Sequence, residues 1–377
     1  MEKAHDHPLL PGIQYMRAIA ALFVVVMHAD GMMRYPRFFG QSPLHLESTG
    51  LFGVAIFFVI SGFIITVVSC DRQGHPRVSI GDFAQRRFIR IVPFMWLCTI
   101  GYNLLSFAGT RHIEWGDFLR AMTVWPLGEL KPNVLWSLRH EFLFYALFAL
   151  MILASLRLRA ILIVWFLIPL ALPFLDMRFT LPADPADPLW VALSKVFLIG
   201  AETGANLQFG AGYLLGMLWL KNGALRSGPS LPTPSLPTPS FRGPVWSIAV
   251  ALAALLACGA LSLPIGPVRF LAWTVLAMAT VWVGVATTAS ADSRGHKLGL
   301  LLGNASFAIY LVHNPALLIL MELSASSLAA VPPPIVHAGL VAAAAAVGVC
   351  VHLVCERPLL AWLARRRAGF TKAVQNA

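Results

Sequence analysis

Charge is scarce in this chain: 12% of its 377 residues are charged against 58% hydrophobic, and its mean hydropathy is +0.74. A soluble globular enzyme carries about 25% charged residues, so that class is excluded. The composition is that of an all-α protein, a polytopic bundle whose core is the bilayer interior. Acids are scarcer still, 17 against 28 Lys and Arg, for a formal net charge of +11. Cysteine is sparse as well, with five in the chain. Cys98, Cys258 and Cys350 fall inside apolar runs and Cys70 and Cys355 at their ends. That placement gives neither a disulfide framework nor a Cys-x-x-Cys metal pattern. The histidines outside the apolar runs, among them His45, His75, His112 and His296, are scattered without metal-ligand spacing, so no metal is expected. The first twelve residues mix acids, histidines and prolines and lack the layout of a cleavable signal peptide. The first apolar run is therefore expected to remain as an anchor, with no soluble domain at either end.

What is present in quantity is long apolar sequence. About ten spans are expected, at 13–33, 51–70, 88–107, 134–154, 158–175, 195–220, 245–263, 268–290, 300–322 and 335–355, each near the twenty residues a crossing needs. With the N-terminus inside, seventeen Lys and Arg fall in the cytoplasmic connections and tail against seven in the outer loops, so both termini are expected to be cytoplasmic. The net positive charge is then a topology signal, and no nucleic-acid partner is implied. The expected organisation is a short cytoplasmic tail (1–12), a membrane domain (13–358) with a proline-rich cytoplasmic loop (226–244), and a basic tail (359–377). That loop carries SLPTP twice, Ser230–Pro234 and Ser235–Pro239, a composition that favours an extended spacer.

Several ionisable residues break the apolar runs. Arg17 and His28 lie eleven residues apart in the first span with only apolar residues between them. Eleven helical steps make about three turns, so both point from one face, roughly 16 Å apart along the axis. Such groups in a span usually face a cavity, a partner or a substrate path; a snorkelling arginine beside a packed histidine is the competing reading. NVLWSLRHEFLFY, Asn133 to Tyr145, places Glu141 in the same outer layer as His28. A carboxylate against an imidazole fixes its tautomer and raises its basicity, as a general base for a hydroxyl requires. A packing pair, His with Glu141 or Arg139 with Glu141, is the alternative.

FAQRRFIRIVP, Phe83 to Pro93, sets Arg86, Arg87 and Arg90 at the cytoplasmic entrance of the third span. Topology alone puts bases there, yet Arg87 and Arg90, three apart, face one way as a phosphate site would. LGNASFAIYLVHNP, Leu302 to Pro315, carries Ser306, Tyr310 and His313 in one helical stripe suited to lining a tunnel or binding a substrate. FFVISGFIIT, Phe57 to Thr66, and Glu356 to Pro358 read as structure, the first through close packing at Ser61 and Gly62.

In this order, Arg17 with His28, ISGF, RRFIRIVP, WSLRHEFLFY, SFAIYLVH and the terminal ERP resemble the membrane-bound acyltransferase family three, the bacterial O-acyltransferases, over about residues 12 to 358. The likeness is greatest to their exopolysaccharide acetyltransferase branch. The resemblance implies a multi-pass protein of the bacterial inner membrane that transfers an acyl group, usually acetyl from acetyl-CoA, to a hydroxyl of a surface or exported polysaccharide. It implies catalysis by His28, support from Arg17, a partner role for Glu141, and binding of the CoA end by the arginine motif, with acetyl-CoA as a substrate and no permanently bound cofactor. The expected partners are the bilayer, the acyl-CoA, the hydroxylated acceptor and polysaccharide-synthesis machinery. The rival class is a transporter of a polysaccharide intermediate or anion using the same polar residues, although no second copy of Arg-x10-His or WSLRHE supplies the repeated halves transporters often have. A structural subunit of a polysaccharide synthase is the third reading.

Overall fold

Within a bilayer every backbone amide and carbonyl must be satisfied internally, so long apolar runs become helices. The computed structural model describes residues 10–44, 46, 49–150, 156–171, 190, 191, 194, 196, 204–224, 241, 242, 244–260, 267–288 and 294–375. Its helices are α1 (Pro11–Met33), α2 (Thr49–Ser69), α3 (Ile80–Thr110), α4 (Trp115–Thr123), α5 (Trp136–Phe148), α6 (Arg159–Ala171), α7 (Ala205–Ala224), α8 (Pro244–Ala260), α9 (Pro267–Ala286), α10 (Arg294–Ser324), α11 (Pro333–Val351) and α12 (Arg357–Gln375). Each expected span overlaps one of these helices in its described part, and among the described residues six candidates are long and apolar enough to cross a membrane, the last being α11 continued into α12 as far as Arg366. The chain is thus an all-α polytopic membrane protein. Among the described residues strand structure amounts to one two-residue parallel pair, Phe241–Arg242 with Thr287–Thr288, and an isolated bridge between Cys70 and Pro76. Of the proline-rich stretch 226–244, residues 226–240 and 243 lie outside the described residues, as do residues 1–9.

Local signals explain several boundaries. Proline opens α1, where its missing N–H costs nothing. Ser79 caps α3 by accepting from the Asp82 amide at 3.1 Å and donating to its carboxylate at 2.9 Å. Arg111 closes α3 in the left-handed region at φ 55°.

Helix α1 is the axis of the bundle, packed on α2, α10, α9, α11 and α8. Close approach is made possible where side chains are missing: a Cβ on Gly53 would fall 2.5 Å from the Ala20 carbonyl oxygen, and one on Gly303 would fall 2.3 Å from that of Gln14. The outward face of α3 is apolar and bare, with Leu97, Ile100, Leu104 and Leu105 exposed, as a lipid-facing surface should be. Buried rings of Phe144, Phe148, Phe166 and Phe209 fill the space between α5, α6 and α7, with Phe144 and Phe209 stacked at 4.3 Å.

Candidate active site

Five helices bring the polar residues of the spans to one cavity. Helix α1 contributes Arg17; α3 contributes Arg86, Arg87 and Arg90; α5 contributes Ser137, Glu141 and Tyr145; α10 contributes Ser306 and Tyr310. Helix α2 closes the space with Phe57, Phe58 and Ser61, and its volume is about 430 Å³. Eight of the ten site residues expected from the sequence line this one cavity. His28 and His313 are not among its lining residues.

Four guanidinium groups against the one carboxylate of Glu141 make the cavity a receptor for anions. Arg87 lies over the rings of Phe83 and Tyr145, at 5.9 and 6.0 Å, and its buried Nε has no hydrogen-bond partner. The Arg90 guanidinium is held at 3.2 Å by the buried carboxylate of Glu356. Arg17 is half-buried and lies within electrostatic reach of Arg90, Glu356 and Glu141.

Glu141 accepts from Ser61 Oγ at 2.8 Å and from the Tyr145 hydroxyl. Its expected pairing with His28 is not what the bonds show. Arg139 donates to the Gly128 carbonyl at 2.7 Å, and His140 Nδ1 donates to the Trp136 carbonyl at 2.8 Å.

The partner of His28 is His313. The two rings lie 4.8 Å apart, with His313 Nε2 at 3.2 Å from His28 Nδ1. His28 Nδ1 is also 2.9 Å from the Val24 carbonyl, and His313 Nδ1 is 2.6 Å from that of Tyr310. A carbonyl only accepts, so the network assigns a proton to both Nδ1 atoms. His313 Nε2 then accepts from His28, and His28 Nε2 is left as the unprotonated nitrogen. Tyr310 links this pair to the cavity: its ring is 5.9 Å from His313, and its hydroxyl donates to the Val134 carbonyl at 2.8 Å and meets Ser137 Oγ at 2.7 Å. Ser306 Oγ, fully buried on the cavity wall, has no partner. Such an orphan hydroxyl is suited to a ligand's polar atom.

From the sequence Ser61 and Glu356 read as structure, and neither Tyr145 nor His352 stood out as a site residue. Tyr145 stands four residues from Glu141 on one helical face, and His352 four from Glu356, a spacing that marks both pairs. Glu356 is a carboxylate at the end of an apolar span, itself a signal for a buried partner.

The fold and the site define a helical membrane protein with a buried cationic cavity next to a histidine pair. The family comparison makes it specific: the acyltransferase domain family matches residues 10–354, and the chain belongs to that family. It is 28% identical to the exopolysaccharide production protein ExoZ of Rhizobium meliloti (strain 1021), over 84% of this chain and 91% of that one. It is 26% identical to the acyltransferase MdmB of Streptomyces mycarofaciens, over 95% and 93% respectively. Against the putative peptidoglycan O-acetyltransferase YrhL of Bacillus subtilis (strain 168) it is 26% identical over 41% of this chain and 25% of the relative. No solved structure matches the chain.

Proposed function

We propose that this acyltransferase moves an acetyl group from cytoplasmic acetyl-CoA to a hydroxyl of an exported polysaccharide, in the inner membrane of a bacterium, with His28 as general base. What supports the reading most is a single spatial order: four arginines on the cavity, Tyr310 and Ser137 on its wall, and the histidine pair next to Tyr310. In α1 alone, Arg17 and His28 are separated by about 16 Å of helix, a distance that an extended pantetheine arm can bridge. The names of ExoZ and YrhL support the acceptor class, an exopolysaccharide or peptidoglycan sugar. Trp115 and Trp125, more than half exposed in the connection between α3 and α5, offer rings on which such sugars stack.

In this mechanism the arginines bind the phosphates of the donor, and Ser306 takes a polar atom of its arm. His28 Nε2 removes the proton of the acceptor hydroxyl as its oxygen attacks the thioester carbonyl. The positive charge that develops on His28 is shared with His313 Nε2 and the Val24 carbonyl, both on its Nδ1 side. Ser137 can turn its hydroxyl from Tyr310 to the tetrahedral oxyanion, leaving the Tyr310 bond to Val134 intact. Collapse breaks the C–S bond, and the thiolate leaves with the proton that His28 returns. Among the described residues, none of Cys70, Cys98, Cys350 and Cys355 lines the cavity, so direct attack is favoured over a cysteine acyl-enzyme.

Membranes holding the parent protein should transfer radiolabelled acetyl from acetyl-CoA to exopolysaccharide, and membranes holding His28→Ala at matched insertion should not. A general base contributes about 10²- to 10⁴-fold, so the loss should approach completeness. Full activity in His28→Ala would sink the mechanism. Absence of label with the correctly inserted parent across a range of donors and acceptors would favour transport.

A further inference from the structure

Where α11 meets α12 the backbone widens into one π-type turn, His352–Glu356, a departure from α geometry that is often found at functional sites. The turn delivers the Glu356 side chain, fully buried, between two partners: Arg90 Nη1 at 3.2 Å on one carboxylate oxygen and His352 Nδ1 at 2.7 Å on the other. Glu356 does not line the cavity, whereas Arg90 does, with 37% of its side chain exposed. The carboxylate therefore grips, through Nη1, a guanidinium that also lines the cavity. A buried carboxylate is costly unless its charge and lone pairs are matched, and here each oxygen has one partner. Among the three arginines of α3, Arg90 is the one for which an ion pair within the spans is observed.

We infer that Glu356 is a positioning residue for the acyl donor: through its ion pair it holds Arg90 in the rotamer that receives the phosphate end, and His352 locks Glu356 in turn. The inference rests on the proposed use of the cavity for acyl-CoA. An arginine is among the most rotamer-rich side chains, and ordering such a side chain only on binding weakens affinity by roughly two- to tenfold. Glu356 removes that loss in advance. Its contribution should appear only with ligands that carry the phosphates Arg90 meets.

The test is calorimetric binding of CoA and of pantetheine, which lacks the phosphates, to the purified full chain. The parent, Glu356→Gln, Arg90→Gln and the double variant are compared, with KM and kcat for acetyl-CoA measured alongside. Glu356→Gln should weaken CoA about fivefold, leave pantetheine unchanged, raise KM without lowering kcat, and add nothing once Arg90→Gln is present. His352→Gln, which keeps Glu356 and loosens its second oxygen, should give a smaller shift with the same ligand dependence, and reads the device should Glu356→Gln fail to fold. Equal weakening of both ligands, tighter CoA binding, or a full Glu356→Gln effect in the Arg90→Gln background would overturn the inference. Because binding is read apart from transfer, a parent that binds CoA with this dependence and yet transfers no acetyl would fault the proposed reaction and leave the positioning role standing.

Discussion

His313 occupies the place that a carboxylate was expected to hold beside the base. Its Nδ1–H is committed to the Tyr310 carbonyl, so its Nε2 can only accept from His28. Replacing it by Ala should lower kcat about tenfold or more and leave the KM for acetyl-CoA unchanged, because the orientation of the base is disturbed and the phosphate site is not. Gln, whose amide oxygen can accept the same bond, should restore part of the loss. An unchanged kcat in His313→Ala would show that Val24 alone orients His28. The ionisable members of the site were legible in the sequence because Arg17, His28, Glu141 and His313 each interrupt an apolar run, where such residues are expensive. Their pairing was not. His28 and His313 are separated by 285 positions, and one sequence gives depth along a helix without saying which neighbour lies beside it. For that reason Glu141 was expected beside His28, whereas it lies on the arginine cavity within electrostatic reach of Arg17 and bonds Ser61 and Tyr145, while Ser61 was hidden in a segment whose glycine explained it well enough.

At the scale of elements, α2 and α7 cross with almost no side chain between them. A Cβ on Gly62 would lie 2.3 Å from the Phe209 carbonyl oxygen, and one on Gly212 would lie 2.1 Å from that of Val59. Both obstacles are backbone, so nothing short of moving a helix relieves them. Small residues at a membrane helix crossing permit this approach, and overpacking typically costs about 1–3 kcal/mol. The displacement would also reach Ser61, the residue before Gly62 and a donor to Glu141. Gly212→Val should therefore lower both the thermal stability in detergent and the transfer rate. Gly101 on α3, around which a Cβ meets nothing within 4 Å, supplies the control: Gly101→Ala should be neutral or slightly stabilising, since alanine favours a helix by about 1 kcal/mol over glycine. Equal tolerance at the two glycines would show that the α2–α7 crossing can relax. The ISGF reading as close packing came from composition alone, and it identified the tight helix without its partner; the matching signal on α7 is its own small-residue pattern, Gly212-x3-Gly216, whose glycines meet Val59, Phe63 and Thr66 of α2.

The molecule as a whole is asymmetric across its length. Arg86 and Arg87 stand in the first turns of α3, close after its Ser79 cap, and line the cavity; Arg17 of the same cavity lies in the first half of α1, and His28 and the buried Asp30 lie toward its other end. Asp30 accepts from Ser42 Oγ at 2.5 Å and from the Leu44 and Leu46 amides at 3.0 and 3.2 Å, which ties the connection after α1 down beside the histidine layer. In the topology expected from the sequence, Lys and Arg concentrate on the loops at the arginine end. Under the proposed function, these two ends would receive the donor and the acceptor from opposite sides. Inverted membrane vesicles, with the cytoplasmic face outward, should hydrolyse or transfer added acetyl-CoA at once, while right-side-out vesicles should do so only after permeabilisation, since CoA and its phosphates do not cross lipid. A matched experiment with an impermeant soluble acceptor should give the reverse order. Equal donor use in sealed vesicles of both orientations would mean that the arginine entrance is not confined to one face, and the two-sided mechanism would have to be replaced by one in which both substrates enter together.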